Sequence, residues 1–144
     1  MNEQQLKQDL IRDEGKRLMP YVDSVGKLTG GVGRNLTDRG FSESEVDLML
    51  HNDILRTQIL LDRYLPWWRL QSEIRQRVLC NLAFNMGVGP SPEDPTGKLL
   101  TFKNTLAAME RGDTEAACEG LRNSKWARQV GVRADRLINQ WRDE

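Results

Sequence analysis

Cysteine is scarce, with two residues, Cys80 and Cys118, in a chain of 144. Both sit in apolar, helix-like surroundings, which reads as free core thiols and argues against a disulfide framework. Histidine is scarcer: His51 stands alone, and without a Cys/His cluster the sequence predicts no zinc site. No run of about twenty apolar residues occurs, so no transmembrane helix is expected. The opening MNEQQLKQDLIRDEG lacks the basic and apolar blocks of a signal peptide, which predicts a chain made in the cytosol. Net charge is also missing. The 21 Lys and Arg residues balance 21 Asp and Glu residues, leaving no global basic field for nucleic acid. What is present is ordinary for a soluble globular chain, 38% hydrophobic and 29% charged. That length buries a core without disulfides or metal, in one domain or two small lobes. Locally, Arg122, Lys125, Arg128, Arg133 and Arg136 crowd together with only Asp135 opposing them. They make either a solvated helical face or a positive rim for an anionic polymer.

The pattern is mostly helical. Asn2 suits an N-cap with Gln5 as its capping-box partner, Leu6 and Leu10 mark an apolar stripe, and Gly15 is a stop. Residues 17–36 lose the helical period. RLMPYVD and KLTGGVG read as short strands with turns at Asp23–Gly26 and around Gly33, a small antiparallel sheet of three strands at most. Ser42 and Glu45 form a second capping box ahead of a long helix that Pro66 ends. At about 22 residues it spans roughly 33 Å, enough to link two lobes. Ser72 caps the next helix, which is apolar nearly all round from Val78 to Met86 and marks the centre of a C-terminal core. Gly87–Gly97 is a loop, not a linker. Helices follow at roughly 101–110 and 113–123, with Asp113 or Gly112 as the cap of the latter, then a turn holding Trp126 and a helix near 133–142. Of Trp67 and Trp68, one is expected in the core and the other over a helix end. Asn81 reads as structural, and Asn85 as structural or cleft-lining.

Three residues carry candidate chemistry. Glu14 lies four after Leu10 and eight after Leu6, which puts its carboxyl on the apolar face in the last helical turn. Desolvation and the helix dipole there would both favour the protonated form that a general acid needs. Asp23 lies in a turn where it stays ionised, and Thr29 follows six residues later beside the glycines. Two carboxyls in environments of opposite effect suit glycosidic cleavage, one protonating the leaving oxygen and the other positioning water or stabilising positive charge. Acids near helix ends and turns are also commonplace, so spacing alone leaves a purely structural role open.

The stretch DEG-x5-YVD-x5-TGGVGR resembles the active-site segment of the phage-type lysozymes, the small endolysins or muramidases. RVLCNLAFNMG, TFKNTL and RNSKWARQVGVRADR resemble later segments of the same family in order, so the likeness covers nearly the whole chain. Two positions depart from the family: Gly30 replaces a β-branched residue, and Arg34 stands where many members have His. The resemblance implies an α+β fold, mostly helical. A small antiparallel sheet forms an N-lobe (about 13–50), joined by a long helix (about 42–64) to a helical C-lobe (about 65–144 plus the N-terminal helix). It implies one lysozyme domain with its cleft between the lobes, hydrolysis of the β-1,4 bond between N-acetylmuramic acid and N-acetylglucosamine in peptidoglycan, and no cofactor or metal. Glu14 matches the acid, with Asp23 and Thr29 on the other side of the sugar. Asn35, Phe84, Asn85 and Thr105 fall where the family lines its cleft. Arg34 is expected to pair with Asp53 on the long helix. The glycines read as close-approach and turn positions of the hairpin.

A lytic transglycosylase also needs an acidic Glu, but Asp23 and Thr29 at hydrolase spacing disfavour it. A non-catalytic peptidoglycan-binding module is disfavoured by the same three residues. The family further implies a monomer that accumulates in the host bacterial cytoplasm, causes host cell lysis, and reaches glycan strands through a separately encoded membrane pore.

Overall fold

The computed structural model describes residues 1–143. Helix α1 (Glu3–Glu14) starts where Asn2 Oδ1 accepts the Gln5 N–H at 3.0 Å, satisfying one first-turn donor. The reciprocal arm expected of Gln5 is not made, because its amide turns along the helix to Asp9 at 3.3 Å. Gly15 stops the helix at φ 81°, where a side chain would be strained. Strands β1 (Arg17–Val22), β2 (Leu28–Gly31) and β3 (Arg34–Asn35) form an antiparallel sheet with β2 in the middle. Tyr21 and Asn35 flank Thr29 on either side. The β1–β2 register shifts between Arg17 and Tyr21. Pro20 lies in that interval and has no N–H to give the ladder. A four-residue helix, α2 (Leu36–Arg39), follows under an Asn35 cap that the hydrophobic pattern did not announce.

Both arms of the capping box at the start of α3 (Glu43–Tyr64) are made. Glu45 N–H donates to Ser42 Oγ at 3.2 Å, and Ser42 N–H donates to Glu45 Oε1 at 2.7 Å. The helix has the expected 22 residues and ends two residues before Pro66, which opens a 3-10 turn (Pro66–Leu70). The chain divides into two compact units, Met1–Met49 and Leu50–Glu144.

In the first unit, the buried residues are Thr29 and Gly30 of β2. Helix α1 buries none of its residues, and Leu6 and Leu10 are exposed. The buried apolar face anticipated for this helix, and with it the desolvation of Glu14, is therefore corrected: the Glu14 carboxyl meets solvent.

The second unit holds the whole hydrophobic core, from Leu60 to Trp141. It contains α4 (Glu73–Met86), a 3-10 turn (Leu99–Thr101), α5 (Lys103–Arg111), α6 (Thr114–Arg122), α7 (Lys125–Val130) and α8 (Val132–Arg142). Val78, Leu79 and Leu82 of α4 are fully buried, as its apolar run required, each stabilising the unit by about 1.5–3 kcal/mol. Ser72 caps α4 and Asp113 caps α6, each accepting a first-turn N–H. Trp126, expected in a turn, lies instead on α7. Ser124 Oγ accepts the Ala127 N–H at 3.1 Å and starts that helix one residue earlier. Trp68, Trp126 and Trp141 are core residues, and Trp67 packs against the core half-buried. Trp68 donates its indole N–H to Asp62 at 2.7 Å, and the Arg75 guanidinium lies 4.6 Å over the Trp141 ring. Cys80 and Cys118 are free thiols, with burial pushing Cys80 upward.

The Gly87–Gly97 loop is held by its acids. Asp94 accepts the N–H groups of Val88 at 2.9 Å and Gly89 at 3.3 Å. Glu93 takes Arg63 and the Tyr64 hydroxyl on its carboxylate, and its carbonyl takes Arg56 at 2.9 Å. The loop is thus fastened to the C-terminal half of α3. Among the described residues, no helix is long and apolar enough to cross a membrane.

Candidate active site

Glu14 is the last residue of α1, and its side chain lies over Gly33 in the turn from β2 to β3. Gly33 has φ 64°, and a Cβ there would stand 2.9 Å from Glu14 Oε2 and 3.3 Å from Glu14 Cβ. Both the backbone angle and the close approach demand glycine. Asp23 follows β1. Its Oδ1 accepts the N–H of Val25 at 3.0 Å and of Lys27 at 2.8 Å, and its own N–H donates to the Lys27 carbonyl at 2.9 Å. This side-chain-to-backbone turn fixes the carboxylate. Among the described residues no group engages its Oδ2.

Thr29, only 4% exposed, donates its hydroxyl to the same Lys27 carbonyl at 3.1 Å. One peptide unit therefore ties Asp23 and Thr29 into a single hairpin, and Thr29 Oγ1 is left with acceptor capacity only. The Lys27 ammonium meets Asp38 at 3.2 Å. Asn35, next to Thr29 on the sheet, has both amide atoms engaged by Asp38: Oδ1 accepts its N–H at 3.0 Å and Nδ2 donates to its carboxylate at 2.8 Å.

The partner of Arg34 is Glu45, not Asp53. Glu45 is already held at the start of α3 by the capping box, which presents a fixed carboxylate to Arg34 just past the Gly33 turn. The Ser42 N–H is the main cause that lowers the Glu45 carboxyl to about 2, with the Ser42 side chain and Arg34 adding to it.

The remaining residues lie in the second unit. Phe84 is 47% exposed and lines a groove with Leu50, Ile54 and Arg133. Asn85 accepts the Trp126 indole N–H at 2.7 Å. Asn81 takes two donors of Arg133, at 3.2 and 2.7 Å, the structural role expected of it. Thr105 is 7% exposed and faces Gly120, where a Cβ would stand 2.2 Å from its hydroxyl oxygen. Thr105 and Trp126 share the wall of a groove of about 870 Å³.

The sequence reasoning missed Lys27 as the peptide joining Asp23 to Thr29, and missed Gly120 as the seat of Thr105. Asp23 followed four residues later by Lys27 gives no signal beyond a turn.

The site offers one carboxyl at a helix end, a second carboxylate with one oxygen open, and a hydroxyl restricted to accepting. These are the parts needed to give a proton on one side and hold a water on the other. A family model described as phage lysozyme matches residues 12–144. The chain belongs to the phage lysozyme family. The matched span of this phage lysozyme family member takes in Glu14, Asp23, Thr29, Asn35, Phe84, Asn85 and Thr105. Two curated relatives are similar over most of the chain. The pre-baseplate central spike protein Gp5 of Enterobacteria phage T4 is 29% identical over 89% of this chain, which spans 26% of that protein. The probable T4-type lysozyme 1 of Dictyostelium discoideum is 25% identical over 93% of this chain and 91% of that protein.

Proposed function

We propose that this chain is an endolysin that hydrolyses the β-1,4 bond between N-acetylmuramic acid and N-acetylglucosamine in peptidoglycan. The observation that carries the proposal is the hairpin itself. It seats the Glu14 side chain on Gly33 and ties Asp23 to Thr29 through Lys27, within the residues the family model matches. Glu14 gives its proton to the glycosidic oxygen as the bond from that oxygen to the muramic acid C1 breaks, and the N-acetylglucosamine hydroxyl leaves. Positive charge grows on C1 and its ring oxygen, which the Asp23 carboxylate stabilises. A water held by Asp23 Oδ2 and Thr29 Oγ1 attacks C1 from the opposite face, and its proton passes to Asp23. Thr29 Oγ1 already donates to Lys27 and so receives an O–H of the water.

Digestion of purified peptidoglycan with mass spectrometry of the ends tests the reading. Hydrolysis gives reducing ends. Anhydro ends would make the chain a transglycosylase, and no cleavage would make it a binding module. The wider role completes the proposal: a monomer in the host bacterial cytoplasm, released to the wall through a separate membrane pore, that lyses the host.

A further inference from the structure

Strand β3 is only two residues long, Arg34–Asn35, and the chain turns into α2 directly after it. The middle strand β2 begins at Leu28, and its ladder with β3 covers Thr29 and Gly30. At Leu28 the strand on that side has already ended, and a side chain takes the place of the missing backbone acceptor. Thr37 Oγ1 of α2 accepts the Leu28 N–H at 2.8 Å. That N–H belongs to the same peptide unit as the Lys27 carbonyl. The carbonyl end accepts the Asp23 N–H at 2.9 Å and the Thr29 hydroxyl at 3.1 Å. A planar trans peptide points its two polar groups to opposite sides, so a bond at one end constrains the direction of the other. Hydrogen bonds joined through one amide also strengthen each other. The two residues that share the carbonyl do not depend on it equally. Asp23 keeps its place through its carboxylate, which the Val25 and Lys27 N–H groups hold. For the Thr29 hydroxyl, the Lys27 carbonyl is the one acceptor met among the described residues. Asp38, next to Thr37, takes the Lys27 ammonium at 3.2 Å, so two consecutive residues of α2 hold this corner of the hairpin.

We infer that Thr37 is a positioning residue for the hydrolysis. It fixes the peptide between Lys27 and Leu28 so that the Thr29 hydroxyl donates to the Lys27 carbonyl and keeps its lone pairs for the attacking water. This deepens the muramidase reading and rests on it. Thr37 acts through Thr29 and needs no contact with the sugar. Its side chain is exposed, so its replacement leaves the core untouched.

The test reads kcat and KM on soluble glycan oligomers released from peptidoglycan. Thr37→Val keeps the shape of the side chain and removes the acceptor. It is expected to lower kcat about tenfold with KM unchanged, less than the roughly hundredfold cost of displacing a positioned group by about 1 Å. Thr37→Ser keeps the hydroxyl and is expected to retain the wild-type rate. In a Thr29→Ala background, Thr37→Val is expected to change kcat no further, because its effect passes through the Thr29 hydroxyl. A normal kcat in Thr37→Val, a rise in KM alone, a serine variant as slow as the valine one, or losses that multiply in the double variant each overturn the inference. Should Thr37→Val not fold, Thr37→Ala takes its place in every comparison. If the wild type cleaves nothing, the muramidase reading fails separately, and NMR still decides the geometry. Scalar couplings to the Thr29 methyl carbon report the rotamer of that side chain. One rotamer in the wild type and in Thr37→Ser, averaged in Thr37→Val, supports the positioning role, and an unchanged rotamer in Thr37→Val overturns it.

Discussion

Glu14 and Gly33 touch through a backbone that only glycine provides, with φ 64° at Gly33 and Glu14 Oε2 only 2.9 Å from where a Cβ would stand. Gly33→Ala should therefore do two things: strain the turn and push the carboxyl aside. Gly31 separates the effects, because it has φ 63° with nothing within 4 Å of a Cβ. Each substitution should cost about 1–3 kcal/mol of stability in urea denaturation, the range for a non-glycine residue forced into this backbone region. Only Gly33→Ala should also lose lytic activity, by about 100-fold, as a displacement of order 1 Å does to a positioned catalytic group. Equal activity in the two folded variants would remove the contact from the mechanism.

Glu14→Gln keeps the size and the exposed position of the side chain and removes the transferable proton. The fold should persist by circular dichroism, and lysis should fall by at least about 100-fold, the lower range for general acid catalysis. Near-normal lysis by a folded variant would exclude the role.

Asp23 has a structural oxygen and a free one, and two substitutions address them in turn. In Asp23→Asn a carbonyl oxygen still accepts the N–H groups of Val25 and Lys27, so stability should change little while activity collapses. Asp23→Ala removes both bonds and should cost about 1–3 kcal/mol more. If Asp23→Asn remains active, charge at Oδ2 is not required.

A water held between Asp23 and Thr29, as proposed, would make the reaction an inverting one. Inverting sites leave room for that water, with carboxyls generally about 6.5–9.5 Å apart. Proton NMR of the first product should show the α-anomer. A β-anomer, or a glycosyl adduct on Asp23 seen by intact-protein mass spectrometry, would require a retaining mechanism.

Much of this was legible in the chain because the signals were local. Asn2, Ser42, Ser72 and Asp113 cap helices within three residues of themselves, and capping depends on nothing further away. The all-apolar run of α4 fixed its place in the core for the same reason. Glu14 was misjudged because periodicity reports which face is apolar, not whether anything covers it. Leu6 and Leu10 form the stripe and are exposed. Arg34 was assigned to Asp53 by counting along α3. The true partner was already fixed by Ser42, a preference that helical spacing does not encode. Of the site itself, Asp23 and Thr29 could be proposed from their spacing and the family resemblance. The Lys27 peptide that joins them could not, since backbone groups leave no mark in the residue code.

The Arg34–Glu45 pair gives a pH dependence whose sign is set. The Glu45 carboxyl falls from an ordinary 4.5 to about 2 in the folded chain, chiefly through the Ser42 N–H, then the Ser42 side chain, then Arg34. A group whose folded value is lowered binds protons more readily when unfolded. Its stabilisation is therefore whole above about pH 4.5 and fades as pH falls toward about 2. Other carboxylates titrate in the same interval, so the quantity to follow is a difference. The gap in urea midpoint between the wild type and Glu45→Gln should be constant above about pH 5 and shrink as pH falls through that window. Because a backbone donor leads the causes, Arg34→Met should keep most of this slope, whereas Glu45→Gln abolishes it. A gap that stays constant down to about pH 2 would show that Glu45 is not held by the capping box in solution. A slope lost entirely in Arg34→Met would transfer the leading part from the Ser42 N–H to the arginine.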